Sequence, residues 1–123
     1  MVSYEFQRAA SILIVIPQGP LEAADFERLA REVDPYIAEK GQLAGLMIHV
    51  KSFPGWRDFA GFRAHVRFVR AHHRKIVRLA AVTDSGFASV ALCIGRCFVR
   101  PQLKRFRYQE KEAALAWLRS ASR

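Results

Sequence analysis

Two aromatic side chains stand beside two cations in the short stretch that follows an apolar run. The run is residues 46–50 (L-M-I-H-V), and Lys51, Phe53, Trp56 and Arg57 come after it, around a proline and a glycine. Cations attract an anionic group, and aromatic rings cover the apolar part of a ligand. The stretch therefore suggests the lip of a pocket. The alternative is a stiff turn, in which Trp56 simply packs on the sheet.

A second polar pair follows another apolar run. Asp84 and Ser85 come after residues 76–82 (I-V-R-L-A-A-V), and either side chain could cap a following helix. Open α/β sheets bind ligands beyond the carboxyl ends of parallel strands, where helix N-termini offer unpaired amide donors. We therefore predict one ligand-binding edge. Its residues are Lys51, Phe53, Trp56, Arg57, Asp84 and Ser85.

Basic side chains dominate the second half of the chain. The net charge is +9, and residues 63–123 contain 14 basic and 3 acidic side chains, against 6 and 8 in residues 1–62. One predicted helix places a basic rail on the flank of its buried face, formed by Arg63, Arg67, Arg70, Arg74 and Lys75. This rail could bind nucleic acid or another anionic surface, or could simply be solvated. No nucleic-acid-binding motif accompanies it, which argues against specific binding of nucleic acid.

No group of side chains indicates catalysis or a metal site. His49 lies inside an apolar strand, where a partly buried imidazole with satisfied hydrogen bonds is expected. Cys93 and Cys97 are four residues apart, which fits neither a redox pair nor a zinc site. The sequence contains no glycine-rich phosphate loop and no serine-elbow motif. We therefore expect no enzyme, no metal and no cofactor.

Apolar runs alternate with helical patterns along the 123 residues, a length typical of a single domain. After an early alternating strand and a turn, further strands are predicted at residues 12–16, 45–50, 76–82 and 103–108. Helices are predicted at residues 22–41, 56–72, 84 or 85 to about 94, and 109–121. This alternation is typical of an α/β fold with a mostly parallel sheet of four or five strands covered by helices.

The helical patterns also predict which side chains are buried. The stripe predicted to face the sheet from the second helix is Phe59, Phe62, Val66 and Val69. Phe68 lies off this stripe, where an exposed ring could mark a protein or membrane contact. The inward stripe of the last helix is Ala114, Trp117, Leu118 and Ala121. Pro35 predicts a kink or break of the first helix near Asp34.

Four strings of the sequence resemble the bacterial SpoIIAA-like family, whose fold is related to STAS and CRAL-TRIO domains. They are G-P-L-E-A-A-D-F-E (19–27), G-L-M-I-H-V-K-S-F-P-G-W (45–56), I-V-R-L-A-A-V-T-D (76–84) and E-A-A-L-A-W-L (112–118). The resemblance covers almost the whole chain and implies a right-handed βα superhelix of four or five strands. It also implies a non-enzymatic regulatory or ligand-binding role.

The resemblance does not extend to the phosphorylation motif of sporulation-type members. Those proteins carry a serine in a D-S-S-G-like motif that opens the helix after the strand at 45–50. The corresponding string here is P-G-W-R-D, and the nearest hydroxyl is that of Ser52. The sequence therefore argues against a phosphorylation switch.

These patterns together predict a small, cytoplasmic, non-enzymatic regulatory or ligand-binding module. No apolar run reaches the length of a membrane span, and no signal peptide is indicated. The expected partner is a small anionic, lipid-like amphiphile or a protein, bound at the strand-end edge. The alternative is nucleic acid or an anionic surface bound by the basic rail. A homodimer is a further expectation, because helices crowded on one side of the sheet would leave the other side to be covered.

Overall fold

Strands and helices alternate in the computed structural model, which describes residues 1–85 and 102–122. The strands are β1 (Val2–Gln7), β2 (Ile12–Pro17), β3 (Leu43–His49), β4 (Ile76–Val82) and β5 (Gln102–Phe106). The helices within these ranges are α1 (Ala23–Lys40), α2 (Phe59–His72) and α3 (Lys111–Arg119). The helix predicted up to about residue 94, with Cys93 and Cys97, lies outside the described residues.

The five strands form one sheet in the order β1-β2-β3-β4-β5. Only β1 runs against its neighbour, and the other three pairings are parallel. The register places Leu13 opposite Leu46, Leu46 opposite Leu79 and Leu79 opposite Leu103. The predicted mostly parallel α/β fold is thus confirmed. Because β2 to β5 are parallel, the loops that follow their carboxyl ends meet at one edge of the sheet.

Helices cover both faces of the sheet. Alternate side chains of each strand point to opposite faces, so Leu13, Leu46 and Leu79 pack in the core under α1 and α2. Met47 and Ala80 point the other way and pack in a second core with Leu118 of α3. The sheet is therefore not covered on one side only, and that argument for a homodimer falls away. The homodimer itself stays a prediction.

The break of α1 predicted near Asp34 does not occur, and the kink expected as its alternative stays a prediction. The helix continues from Ala23 to Lys40, with Pro35 exposed. The proline lacks an N–H and crowds the preceding turn, but a carbonyl on the solvent side of a helix can bind water instead. Val33, Tyr36 and Ile37 are buried around the proline. Their burial offsets its cost and keeps the last turns of α1 on the sheet.

The start of α2 and the buried face of α3 differ from the prediction. The second helix begins at Phe59 rather than at residue 56, because the Asp58 carboxylate accepts a hydrogen bond from the Gly61 N–H (2.9 Å). The last helix buries Ala114 and Leu118 as expected, but its third buried residue is Leu115. Trp117 and Ala121, which were predicted to be inward, are only partly buried.

The predicted buried face of α2 is wrong in part: Val69 is buried as expected, but the two phenylalanines of the stripe are not. Phe59 is 70% exposed and Phe62 is 37% exposed. The residues that α2 buries are Gly61, His65, Val69 and His72. Phe68, predicted to be exposed, is partly buried, 5.9 Å from the Phe26 ring and stacked on the His72 ring at 4.0 Å. The helix is therefore rotated so that its glycine and histidines, not its first phenylalanines, face the core.

Candidate functional site

Backbone hydrogen bonds join the loops that follow β2 and β3. The Leu21 N–H donates to the Gly55 carbonyl (2.8 Å), and the Arg57 N–H donates to the Leu21 carbonyl (2.9 Å). Leu21 and Trp56 thereby form an isolated parallel bridge beyond the ends of the strands. The Trp56 turn is consequently fixed against the segment that leads into α1.

The loops that follow β3 and β4 are joined in the same way. The Phe53 N–H donates to the Ser85 hydroxyl (2.9 Å), and the Asp84 N–H donates to the Lys51 carbonyl (2.9 Å). Thr83, which is buried, also donates its hydroxyl to the Lys51 carbonyl (3.1 Å). All six residues of the predicted binding edge therefore lie at one edge of the sheet. That they bind a ligand stays a prediction.

Internal contacts already use much of the charge at this edge. The Arg57 guanidinium lies 2.6 Å from a Glu22 carboxylate oxygen. The Asp84 carboxylate accepts a hydrogen bond from the Tyr108 N–H (3.0 Å), and the Asp58 carboxylate occupies the first turn of α2. Lys51 is exposed and forms no side-chain ion pair with the described residues. Arg105 also lies at this edge, where its Nε–H donates to the Ser85 carbonyl (3.1 Å). An incoming anion would therefore meet two cations without an ion pair to the described chain, Lys51 and Arg105, and several carboxylates.

His49, the histidine of β3, is satisfied in the way that the sequence predicts. Its Nε2 atom lies 3.1 Å from the Tyr108 carbonyl oxygen. Its ring also stacks on the Tyr108 ring, with 4.5 Å between the centroids. The imidazole is half-buried and held in place, so its contacts account for its presence without a catalytic role.

Four aromatic rings form a continuous strip from this edge to the start of α2. The centroid distances are 5.1 Å for Phe53 and Trp56, 4.9 Å for Trp56 and Phe62, and 6.0 Å for Phe62 and Phe59. Phe53 and Trp56 are half-buried, whereas Phe59 is mostly exposed. This aromatic strip, defined by Phe53, Trp56, Phe59 and Phe62, was missed in the sequence because its last two members were assigned to the core.

A buried histidine fixes the indole of the strip. The Trp56 Nε1–H donates to His65 Nδ1 (3.0 Å), and the His65 ring stacks on Phe26 with 4.9 Å between the centroids. Burial lowers the pKa of His65 to about 4, so the imidazole is neutral at pH 7. The bond from Trp56 leaves the proton of this neutral ring on Nε2. The sequence signal for the burial of His65 is its spacing, because it lies four residues before Val69 and therefore on the same side of the helix.

The basic rail is exposed on α2 and the turn after it. Arg63, Arg67, Arg70, Arg74 and Lys75 form no side-chain hydrogen bond or ion pair with the rest of the described chain. At about 100° per residue, the arginines lie opposite the side of α2 that carries His65 and Val69. They were predicted on the flank of the buried face, and the rotation of α2 instead turns them outward.

Two concave spaces border these surfaces. A groove of about 390 Å³ lies between α1 and α2, with Phe26 and Phe68 among its lining residues and Arg63 and Arg67 on its α2 side. A smaller cavity of about 70 Å³ lies between the helices and the sheet, and its lining includes Phe53 and apolar side chains of the first core. The groove and the aromatic strip thus lie on different sides of α2, and two arginines of the rail, Arg63 and Arg67, border the groove.

Two classes of feature are absent from residues 1–85 and 102–122. These ranges contain no cluster of three or more histidine, cysteine, aspartate or glutamate side chains placed to hold a metal ion. None of the helices in them has both the length and the apolar composition needed to span a bilayer.

Comparison with known proteins places the chain in a family. A model of the SpoIIAA-like family matches residues 12–119, from β2 to the end of α3. No curated protein matches the chain. No solved structure matches it either. The matched range includes all four parallel strands and the loops that form the binding edge, and this chain belongs to the SpoIIAA-like family.

Proposed function

We propose that this chain is a regulatory module that binds a protein partner at the strand-end edge of its sheet. SpoIIAA-like modules are small, of STAS type and generally non-enzymatic, and they commonly interact with proteins. The observation that carries the proposal is the aromatic strip, which begins half-buried at Phe53 and ends at Phe59 with 70% of the residue exposed.

The strip has the properties of a protein-binding hot spot. Large aromatic side chains dominate the energetics of interfaces, and a contiguous exposed apolar patch commonly marks a contact surface. The hydrogen bond between Trp56 and His65 and the bridge between Trp56 and Leu21 fix Trp56, the ring that contacts both Phe53 and Phe62. A preorganised surface loses less conformational entropy on binding than a mobile one.

Replacing Phe59 with serine is expected to weaken capture of the partner at least tenfold, since truncation of a hot-spot aromatic costs about 2 kcal/mol or more. The stability of the fold should change by no more than about 0.5 kcal/mol, because the side chain is mostly exposed. Quantitative capture of proteins from a lysate of the source cells by the immobilised wild-type and variant chains would measure the effect.

The matched control is Leu103→Ser on β5, which removes another exposed apolar side chain (44% exposed) outside the strip. This variant should retain the partner at the wild-type level. If Phe59→Ser and Leu103→Ser both capture the same proteins as the wild type, the strip is not a binding surface.

An anionic amphiphile at the same edge has weaker support. The cavity beside Phe53 has a volume of about 70 Å³, whereas pockets for small ligands begin near about 300 Å³. Arg57 is already paired with Glu22, which leaves Lys51 and Arg105 as the cations for a head group. A lipid-like ligand would enter this edge only if the aromatic loop moved outward.

The exposed rail favours binding to nucleic acid or an anionic surface as a second candidate function. If it binds duplex or single-stranded oligonucleotides, affinity should fall at least tenfold between 50 and 200 mM salt, on the order expected for a few phosphate contacts. Arg67→Glu combined with Arg70→Glu should abolish the mobility shift. Binding that is insensitive to this double substitution would remove the rail as the binding surface.

A further inference from the structure

We infer that the groove between α1 and α2 docks an acidic amphipathic helix of a partner protein. This surface lies on the opposite flank of α2 from Phe59 and Phe62, by the 100° spacing of helical residues. The inference therefore does not depend on the aromatic strip, and the two surfaces can be tested separately.

The groove has the shape and the apolar floor that a helix requires. Its volume is about 390 Å³, and Phe26 and Phe68 are the large apolar side chains that line it. The other apolar residues that line it are all alanines, namely Ala23, Ala30, Ala60, Ala64 and Ala71. These short side chains keep α1 and α2 from closing the space. From Ala60 to Ala71 the groove extends for about 16 Å, which is three turns of a helix.

The charge along the groove selects an acidic partner. Arg63 and Arg67 line its α2 side, and Arg70 continues the positive charge along the same helix. Glu27 on α1 is the single acid among the lining residues. The arginines form no ion pair with described residues. Carboxylates on a partner would therefore meet guanidinium groups with no acid to displace, which favours fast and specific association.

An amphipathic helix can both pack on the apolar floor of the groove and pair with its arginines, whereas other anionic partners can do only one of these. A bilayer presents a flat anionic surface that does not reach down to Phe26 at the bottom of a concave groove. A nucleic-acid backbone presents phosphates but no apolar ridge to fill the space between the alanines. An amphipathic helix inserts an apolar stripe and carries acids on its flank, as in other helix-in-groove complexes.

The probe is a synthetic amphipathic helix of about 15 residues, with leucines at i, i+3, i+4 and i+7 and glutamates on one flank. Its binding to the full chain is measured by fluorescence anisotropy at low and high salt. We expect saturable binding that weakens with salt. Arg63→Glu combined with Arg67→Glu should reduce the affinity at least tenfold. Ala71→Phe, which places a ring in the groove from an exposed position, should reduce it to a similar extent.

The control for charge is Arg74→Glu combined with Lys75→Glu. It changes the net charge by the same amount, but neither residue lines the groove, so less than a threefold loss is expected. Equal losses for the two double variants, equal binding of a scrambled peptide, or no binding of the peptide would overturn the inference. Binding of phosphatidylserine vesicles or oligonucleotides, but not of the peptide, would overturn it in favour of those partners. Retained binding of the peptide by Phe59→Ser would support a groove that works independently of the aromatic strip.

Discussion

Replacing Gly61 with alanine is expected to destabilise the fold by about 2 to 3 kcal/mol, although the same change in an ordinary helix stabilises it by up to about 1 kcal/mol. A Cβ atom at this position would lie 2.5 Å from the Leu21 carbonyl oxygen. That oxygen cannot move aside easily, since it accepts the Arg57 N–H while the Leu21 N–H donates to Gly55. Urea unfolding at pH 7 would measure the loss.

Gly19→Ala provides the matched control for this substitution. A Cβ atom at Gly19 would meet no heavy atom within 4 Å, so a change within about 0.5 kcal/mol is expected. An alanine at position 61 that leaves the urea midpoint unchanged or raises it would contradict the close crossing of α2 over the loop after β2.

Acidification is expected to remove about 3 kcal/mol of stability through His65 alone. Burial lowers its folded-state pKa to about 4, whereas an unfolded histidine titrates near 6.5. The unfolded chain therefore binds a proton over a pH range in which the folded chain does not. The stabilisation is complete above about pH 6.5 and is lost as the pH falls towards 4. Protonation would also place an N–H on Nδ1 against the Trp56 N–H.

The measurement is the free energy of unfolding between pH 7 and 4, for the wild type and for His65→Gln. The variant should lose most of the slope in this window, whatever its stability at pH 7. Val69→Ala, which removes buried apolar volume from the same face of α2, should lower stability while keeping the slope. A slope that is the same in His65→Gln and the wild type would show that His65 is not the responsible group.

The pKa of Asp25 is also lowered: burial raises it, but hydrogen bonds from the Glu22 N–H, the N-terminal ammonium and Arg28 outweigh burial. A carboxyl group with a lowered pKa loses its stabilising effect as the pH falls through that pKa. For Asp25 this pKa lies below the range from pH 7 to 4 in which His65 is measured.

The strands were predictable because each is a short apolar run bounded by turn residues. Residues 12–16 are mostly β-branched and residues 76–82 are apolar except for Arg78, and both form parallel strands within a residue of the predicted bounds. Parallel strands place their following loops at one edge, so the meeting of residues 51–57 with residues 83–85 was also predictable. Pro35 was misjudged because local propensity cannot weigh the burial of Tyr36 and Ile37 against the cost of the proline.

The surface of α2 was not predictable, because its orientation depends on contacts distant in sequence. The first two phenylalanines are among the largest apolar side chains of α2, so the sequence pattern predicts that they are buried. Glycine and histidine contribute little to the hydrophobicity from which such a face is predicted. Gly61 is needed where the helix crosses the Leu21 carbonyl, and His65 is buried because it accepts a hydrogen bond from Trp56. Neither requirement is visible in the residues of α2 alone. The groove was not predictable for the same reason, because the alanines that line it belong to two separate helices.

The cavity of about 70 Å³ beneath the two helices has a mechanical consequence. Internal space of this kind is eliminated when the chain unfolds, so unfolding reduces the total volume of protein and water. The reduction scales with the internal space and amounts to about 20 to 100 mL/mol in proteins. Hydrostatic pressure would therefore shift the equilibrium towards the unfolded chain.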